Sequence, residues 1–529
     1  MIKKPDYHQQ EEFQNRTRKL ADIRQSGIEP YPHRYTTSHS SQGLQEAFYE
    51  KETGHSEDAA RGDTDEISVA GRLILFRSMG KNSFAHLQDH TGRVQVMFNR
   101  DLSQLDGYQP VAEQDGDETI SAYKFIEKKL DLGDILGVKG HVFRTQKGEL
   151  TIFAKEVTLL CKTLLPLADK HEGLHDKELR YRKRWLDLIS HPDIATLFRQ
   201  RTYILQQIRV YFEASEFLEV ETPILQSIYG GAEARPFETN LNALDQGMFL
   251  RISLEPPLKK LMVGGMHRIY ELGRVFRNEG IDRTHNPEFT LLEAYAAYWD
   301  YHDMMSFVEK LFEKIAIALH GSSRIPYSLQ EGTPITYLDM KTPWKRISMK
   351  ESLQEYCQID VDSLTDEEIR HLLKTNGHGD NKKLQEMTRG LLIAALFAAK
   401  VEPHLIQPHH IIDHPVETTP FCKLHRNSSL KKEGIVERFE SFIAGQEICN
   451  AYSELNDPEM QRMLLEKQAL RKEAGDEEAS PLDEEFIEAI CQGMPPTGGI
   501  GIGIDRLIML MTNSHSIRDV LYFPWMKPL

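Results

Sequence analysis

Cysteine is scarce in this 529-residue chain: Cys161, Cys357, Cys422, Cys449 and Cys491 lie far apart and none forms a CxxC pair. That spacing suggests neither a disulfide framework nor a thiolate zinc site, and it fits a reducing cytoplasm. Positive charge is also short. A formal net charge of −16 argues against a surface coated uniformly for nucleic acid, so any RNA contact must be focused on one patch. Long apolar runs are missing: GLLIAALFAAKV, residues 390–401, is too short to span a bilayer, and MIKKPDYHQQEEF lacks the apolar core of a signal peptide. A soluble, cytoplasmic protein with no membrane partner is expected. Both common nucleotide loops, G-x-x-x-x-G-K-[ST] and G-x-G-x-x-G, are absent too.

What is present divides the chain. Residues 1–65 read as an N-terminal helix, with Phe13, Leu20 and Ile23 among basic residues, followed by a polar connector. Residues 66–165 hold five short runs of alternating apolar residues, among them ISVAGRLILF, RVQVMFN and ELTIFAKEVTLL, separated by HTG and QKG turns and one polar excursion. That pattern suggests a small Greek-key barrel of the OB type. Residues 166–190 form a linker ending in the basic KELRYRKRWLDLI. From 191 to 529 the fold class is α+β, beginning with an amphipathic helix through Ile194, Phe198, Ile204, Ile208 and Phe212. FLEVETPIL then reads as a strand closed by Pro223, which has no N–H to donate and so suits a sheet edge where a partner subunit can dock. A helical insertion without chemical motifs occupies about 345–401.

Two stretches carry chemistry. In FRNEGIDRTHNPEF, residues 276–289, charge crowds a bend between extended segments, and beyond it Phe289, Leu291, Glu293 and Tyr295 alternate and share a face. A planar base can lie on Phe289 while Arg277 and His285 meet phosphates, since guanidinium forks match phosphate oxygens. An exposed hairpin pairing its own charges would explain the same residues. In GMPPTGGIGIGIDRLIML, residues 493–510, Gly499, Gly501 and Gly503 alternate with Ile500, Ile502 and Ile504, leaving one face of bare backbone on which a flat ligand can lie. A tightly packed core strand would explain the glycines, but not Arg506 at the start of the helix that follows.

These stretches resemble motifs 2 and 3 of the class II aminoacyl-tRNA synthetases, and FLEVETPIL resembles motif 1. Along nearly its whole length the chain is similar to the lysyl-tRNA synthetase family. The resemblance implies an N-terminal OB-type barrel followed by a catalytic domain built on an antiparallel sheet flanked by helices. It also implies a homodimer made through the motif 1 helix and strand, with ATP, L-lysine and tRNA(Lys) as partners and Mg²⁺ as cofactor. Carried over, Arg277 and Arg506 are catalytic, and ATP is held by Arg277, Glu279, His285, Asn286, Phe289 and Arg506. Lysine is held by Gly231, Glu255, Glu293, Tyr295, Asn450, Tyr452 and Glu454, with Glu454 on the side-chain ammonium. Glu440 and Glu447 hold Mg²⁺, and Arg77, Phe84, Gln95 and Glu149 bind a U-rich anticodon by stacking and edge hydrogen bonds.

Several features stand apart. Strict alternation places Glu447 on the strand face opposite Asn450, so a bulge or strong twist is required for both to reach one ligand. Cys449 and Ala451 stand where the family commonly has glycines, and Pro256 and Pro257 where it has Leu-Tyr; the added bulk is expected to narrow the pocket and shift Glu255. His409 and His410 are adjacent on a strand and point to opposite faces, which disfavours a metal site. The alternatives are an aspartyl- or asparaginyl-type synthetase, which would want a cation in place of Glu454, and a catalytically dead RNA-binding paralogue.

Overall fold

The computed structural model describes residues 5–51, 64–110, 120–167, 176–375, 377 and 381–528, in two compact units, Met1–Asp176 and Lys177–Leu529. Parts of the expected connector (52–63), polar excursion (111–119) and linker (168–175) lie outside the described residues.

In the first unit, β1 (Ile67–Met79), β2 (Asn82–Gln88), β3 (Arg93–Asn99), β4 (Gln104–Leu105), β5 (Ile135–Arg144) and β6 (Leu150–Cys161) run in the order β3-β2-β1-β5-β6-β4. An added parallel β3–β6 pairing closes the barrel. Strand β1 pairs with β5 through its first half and with β2 through its second, turning at a bulge between Leu73 and Leu75. Alternation then does what period-2 patterning dictates: Ala85, Leu87, Val94, Val96 and Phe98 fill the interior, while Phe84, His86 and Gln95 lie outside the main core. At Gly140 a Cβ would stand 1.8 Å from the Phe153 carbonyl oxygen, so only glycine lets β5 and β6 close there. The N-terminal helix, Glu11–Gln25, packs Ile23 into the barrel core. Its basic face is not solvated throughout, because Arg16 is buried and donates to the Leu132 and Leu165 carbonyls and to Thr163.

The second unit carries three sheets. The largest has the order β15-β16-β17-β18-β19-β12-β11-β7, from β15 (Lys345–Ser348), β16 (His409–Pro415), β17 (Ile435–Ile443), β18 (Gln446–Ser453), β19 (Thr497–Gly503), β12 (Glu288–Ala297), β11 (Arg268–Phe276) and β7 (Leu218–Glu219). Only the two outermost pairings, β15–β16 and β11–β7, are parallel. A three-stranded sheet is formed by β8 (Leu225–Gln226), β10 (Gln246–Leu250) and β9 (Glu238–Leu241), and a two-stranded one by β13 (Arg324–Ser328) and β14 (Ile335–Asp339).

One face of the large sheet is dry. Leu292, Ala294, Ala296, Cys449, Ala451, Ile500 and Ile502 pack there against helices Pro192–Ala214 and Tyr301–His320. The latter starts at an Asp300–Asp303 capping box and ends at Gly321 in the left-handed conformation (φ +71°), which glycine adopts without a Cβ penalty. Cys449 and Ala451 both pack into this core, and Cys449 also borders the cavity on the other face. The segment after β15 folds into helices Met349–Cys357, Asp366–Thr375, Asn381–Glu386 and Arg389–Lys400 around its own core of Leu353, Ile369, Leu392 and Phe397. Residues 177–190, part of the expected linker, are two short helices of the second unit, tied in by buried Arg184 donating to the Arg518, Leu521 and Tyr522 carbonyls.

Candidate active site

On the open face of the sheet the glycines of β19 leave a bare floor. Register places Asn450, Gly501 and Glu293 in one row and Tyr452, Gly499 and Tyr295 in the next. A cavity of about 500 Å³ stands on that floor, and every residue expected to bind ATP or lysine lines it. Of the catalytic-unit residues singled out, Glu440 alone is missing from the wall, its Oε1 accepting from Arg438 2.5 Å away.

The bulge required for Glu447 exists. Between Ser441 and Phe442 the β17–β18 register jumps from Cys449 to Glu447, leaving Ile448 unpaired and bringing Glu447 to the face that Asn450 occupies. Burial, then Glu440, pushes the Glu447 carboxyl up, and burial, then Glu447 and Glu440, pushes nearby Glu402 up to about 7. Among the described residues no cluster of three or more His, Cys, Asp or Glu is arranged to hold a metal. Arginines border this acidic patch, Arg438 at Glu440 and Arg506 3.4 Å from Glu447. His409 and His410 are no part of it: both rings are fully engaged, His409 with Tyr356 and the Gln407 carbonyl, His410 with Ser441 and Glu309.

At the end expected for ATP, Arg506 donates to the Glu447 carbonyl at 2.8 Å and to His285 Nε2 at 3.2 Å. The other ring nitrogen of His285 meets Asp282 at 2.8 Å. Asp282 also accepts from the Thr284 and His285 amides, and these bonds hold its carboxyl far below the usual range in spite of burial. Arg277 lies 5.2 Å over the Phe289 ring, donates through Nε to the Ile252 carbonyl, and is crowded by Glu279, Glu293 and Glu447. Asn286 is buried, its amide donating to the Glu288 carbonyl and its oxygen facing the Trp525 amide.

At the opposite end two carboxyls clasp a buried cation, with a third, Glu293, near them. Lys259 Nζ lies 2.5 Å from Glu255 Oε1 and 2.5 Å from Glu454 Oε2. Glu293 accepts from the Leu254 amide and the Tyr295 hydroxyl. Burial, then the Glu255 charge, raises the Glu293 carboxyl to about 7; burial, with Glu255 adding and Lys259 opposing, raises Glu454 to about 8. Burial alone would lower Lys259, but its two carboxylates override that and hold it above its ordinary value. Pro256 and Pro257 fall in the first turn of helix Glu255–Val263, where a missing N–H costs nothing, and Glu255 stays on the cavity wall. Gly231, at φ +86°, crosses so close that a Cβ would stand 2.3 Å from Ser253 Oγ.

Four residues escaped the reading of the sequence. Arg438 donates to Asn450 Oδ1 and Glu440, leaving the Asn450 amide group turned to Tyr452 and the cavity. Arg201 and Asp505 join all three motif-like segments: Arg201 donates to Asp505 at 2.6 Å and to Thr290, and Asp505 accepts from the Thr290 amide at 2.7 Å. Lys259 is the fourth. Signals existed, since Arg201 interrupts the apolar face of its helix three residues after Phe198, and Lys259 follows Glu255 by one helical turn. Because Asp505 is buried, Asp505→Ala strands Arg201 without its carboxylate; denaturant unfolding should show a loss of about 3–5 kcal/mol, against under about 1 kcal/mol for breaking the exposed Lys177–Glu331 pair.

In the first unit a cleft of about 470 Å³ is lined by Gln95, Glu149, His86, Arg93, Arg144 and Tyr49. Gln95 stands opposite His86 in the β2–β3 register, and His86 meets Glu149 at 3.2 Å. Phe84 lies opposite Arg77, half-buried beside Met97, Phe143 and Phe153 in a satellite cluster rather than in the barrel core.

A barrel of this type and an antiparallel sheet with a glycine-floored cavity between two arginines define a class II aminoacyl-tRNA synthetase. A family model described as tRNA synthetases class II (D, K and N) matches residues 176–527, and one described as OB-fold nucleic acid binding domain matches residues 67–160. The chain is 54% identical over 526 residues to a lysine–tRNA ligase of Chlamydia caviae, covering 99% of this chain and 98% of that protein. It is 45% identical to one of Nostoc punctiforme, covering 97% and 87%, and 43% identical to one of Staphylococcus epidermidis, covering 98% of each. The chain belongs to the lysine–tRNA ligase family of class II synthetases.

Proposed function

We propose that this protein activates L-lysine with ATP and transfers the lysyl group to the 3′ end of tRNA(Lys). The observation that carries it is one cavity with Arg277 and Arg506, beside Glu279 and Glu447, at one end, and Glu255, Glu293 and Glu454, with only Lys259 against them, at the other. An amino acid with a second ammonium fits the acidic end, and a triphosphate fits the basic end. An aspartyl- or asparaginyl-type substrate would meet Glu454 where it needs a cation.

In the reaction, a lysine carboxylate oxygen attacks the ATP α-phosphorus as the bond to the bridging oxygen breaks and pyrophosphate leaves. The ribose 3′-hydroxyl of tRNA then attacks the adenylate carbonyl, and AMP departs. Neither step requires a side-chain base. Glu255 and Gly231 hold the α-amino group, Asn450 the carboxylate, and Glu293 and Tyr295 the aliphatic chain, while Glu454 binds the ε-ammonium. Arg277 meets the charge growing on the α-phosphate, Phe289 and Glu279 take the adenine, and Arg506, aimed by His285, takes the terminal phosphate. Glu440 and Glu447 would hold Mg²⁺, which when bound neutralises phosphate oxygens.

Stacking on Phe84, with Gln95 and Glu149 reading base edges beside Arg77, suits a single-stranded anticodon. A homodimer through the motif 1 helix and strand is supported by exposed Tyr203 and Val210 on helix Pro192–Ala214, Leu218 on the edge strand β7 of the large sheet, and Ile224 and Leu225 at β8. Among the described residues no helix is long and apolar enough to cross a membrane, and the widely spaced cysteines suit a reducing cytoplasm. Exchange of pyrophosphate into ATP, run with each amino acid in turn, tests the reading: lysine should support it best, and a preference for aspartate or asparagine, or no exchange at all, overturns it.

A further inference from the structure

Lys259 is fully buried, one helical turn after Glu255, with its ammonium 5.0 Å over the Phe421 ring. It contacts one oxygen of each of two acids, 2.5 Å from Glu255 Oε1 and 2.5 Å from Glu454 Oε2. Glu454 Oε2 accepts no well-formed hydrogen bond among the described residues, so the ion pair with Lys259 is what holds that end of the carboxylate. The other oxygen, Oε1, is turned onto the bare cavity floor, where a Cβ on Gly499 would stand 1.9 Å from it. One internal ammonium therefore ties together the two acids that, on the reading above, receive the α- and ε-ammonium groups of lysine. Fully ionised, Glu255, Glu293 and Glu454 against Lys259 leave two negative charges, which the two ammonium groups of a single diamino acid neutralise.

We propose that Lys259 is a positioning residue for specificity: by clamping Glu255 to Glu454 it fixes their separation, and so the side-chain length accepted, while easing the ionisation of both acids when a diamino acid arrives. The inference rests on the lysine-activating function proposed above. Other groups facing the trio are Glu293 and Tyr295 from β12, Tyr452 from β18, Arg438 from β17, and Cys422, which bridges to Glu454. Burial pushes both tyrosines and Cys422 well up, so the carboxyls are what titrates here between pH 6 and 9.

The experiment is pyrophosphate exchange from pH 6 to 9 with L-lysine and with L-ornithine, one methylene shorter, in the wild-type protein and Lys259→Met. Removing the cation raises the acids further, so the variant's KM for lysine should rise at least about tenfold at pH 7 and fall progressively towards pH 9, with the KM for ATP moving less than about twofold. A methylene in a fitted pocket is worth about 10–200-fold; with the clamp gone, the preference for lysine over ornithine should fall at least about fivefold. Lys259→Arg, which keeps the charge, should retain the wild-type pH profile. Should Lys259→Met fail to fold, Lys259→Gln, which keeps a donor between the acids but no charge, takes its place with the same expectations. A folded variant whose loss is equal at every pH, or whose lysine-to-ornithine ratio stays at the wild-type value, overturns the proposal while leaving the function standing. A wild-type protein without lysine-dependent exchange overturns both.

Discussion

Arg277→Ala is expected to abolish lysine-dependent pyrophosphate exchange while leaving the fold intact. The guanidinium has little structural work: its one side-chain hydrogen bond runs from Nε to the Ile252 carbonyl at 3.3 Å, and the backbone bond that closes the motif 2 bend, Arg277 N to the Pro287 carbonyl, survives the substitution. What it does is stand half-buried above Phe289 on the cavity wall, its charge near Glu279, Glu293 and Glu447 and open to a ligand. Deleting one preorganised donor from a site of developing charge costs about 10²–10³ in rate, and Arg277 supplies a full charge as well, so a loss of at least about 10³-fold is expected. Thermal melting and near-UV circular dichroism should match the wild type. Near-normal exchange would refute the role, and a collapsed melt would show the residue to be structural instead.

Local pattern made much of this site legible in the sequence. Alternation in GGIGIGI predicts a strand with one bare face, and the structure has it, with the isoleucines in the core and Gly499, Gly501 and Gly503 beneath the cavity. Period-2 patterning works because a strand's sides are fixed by its own backbone. It fails where register changes, and the Ile448 bulge is such a place: alternation demanded a discontinuity but could not locate it, because a bulge is set by the neighbouring strand. Cys449 and Ala451 lie one residue off the ligand-facing set, and both pack into the core.

Pairings between distant residues were illegible. Arg201, Thr290 and Asp505 come from three segments separated by about 90 and 215 positions, and only the folded sheet brings them within 2.6–3.3 Å. Arg438 and Lys259 were hidden differently. Each lies beside an acid that was noticed, but a basic residue near an acid is ordinarily a solvated surface pair, and burial, which changes its meaning, is a property of the fold.

Glu454→Gln should cost lysine activation roughly 10²–10³-fold in kcat/KM, concentrated in the KM for lysine, because the incoming ammonium then enters a buried site without its counter-charge, at about 3–5 kcal/mol. The same substitution has a signature in the free protein. Held up at about 8 against an ordinary 4.5, the Glu454 carboxyl keeps its proton through a range in which the unfolded chain has lost it. The folded state binds the extra proton, so this contribution to stability is complete below about pH 4.5 and is lost as pH rises through 8. Ligand-free wild type should therefore become less stable between pH 5 and 8, and Glu454→Gln should flatten that slope, leaving the steps due to Glu293 and Glu402 near 7. Lysine affinity runs the opposite way, rising with pH as the carboxyl ionises to meet the ammonium. Melting temperature against pH, with and without lysine, separates these effects. Identical slopes in the two proteins would mean that Glu454 is already ionised without its ligand, and the acidic end would then owe its selectivity to shape rather than to charge held in reserve.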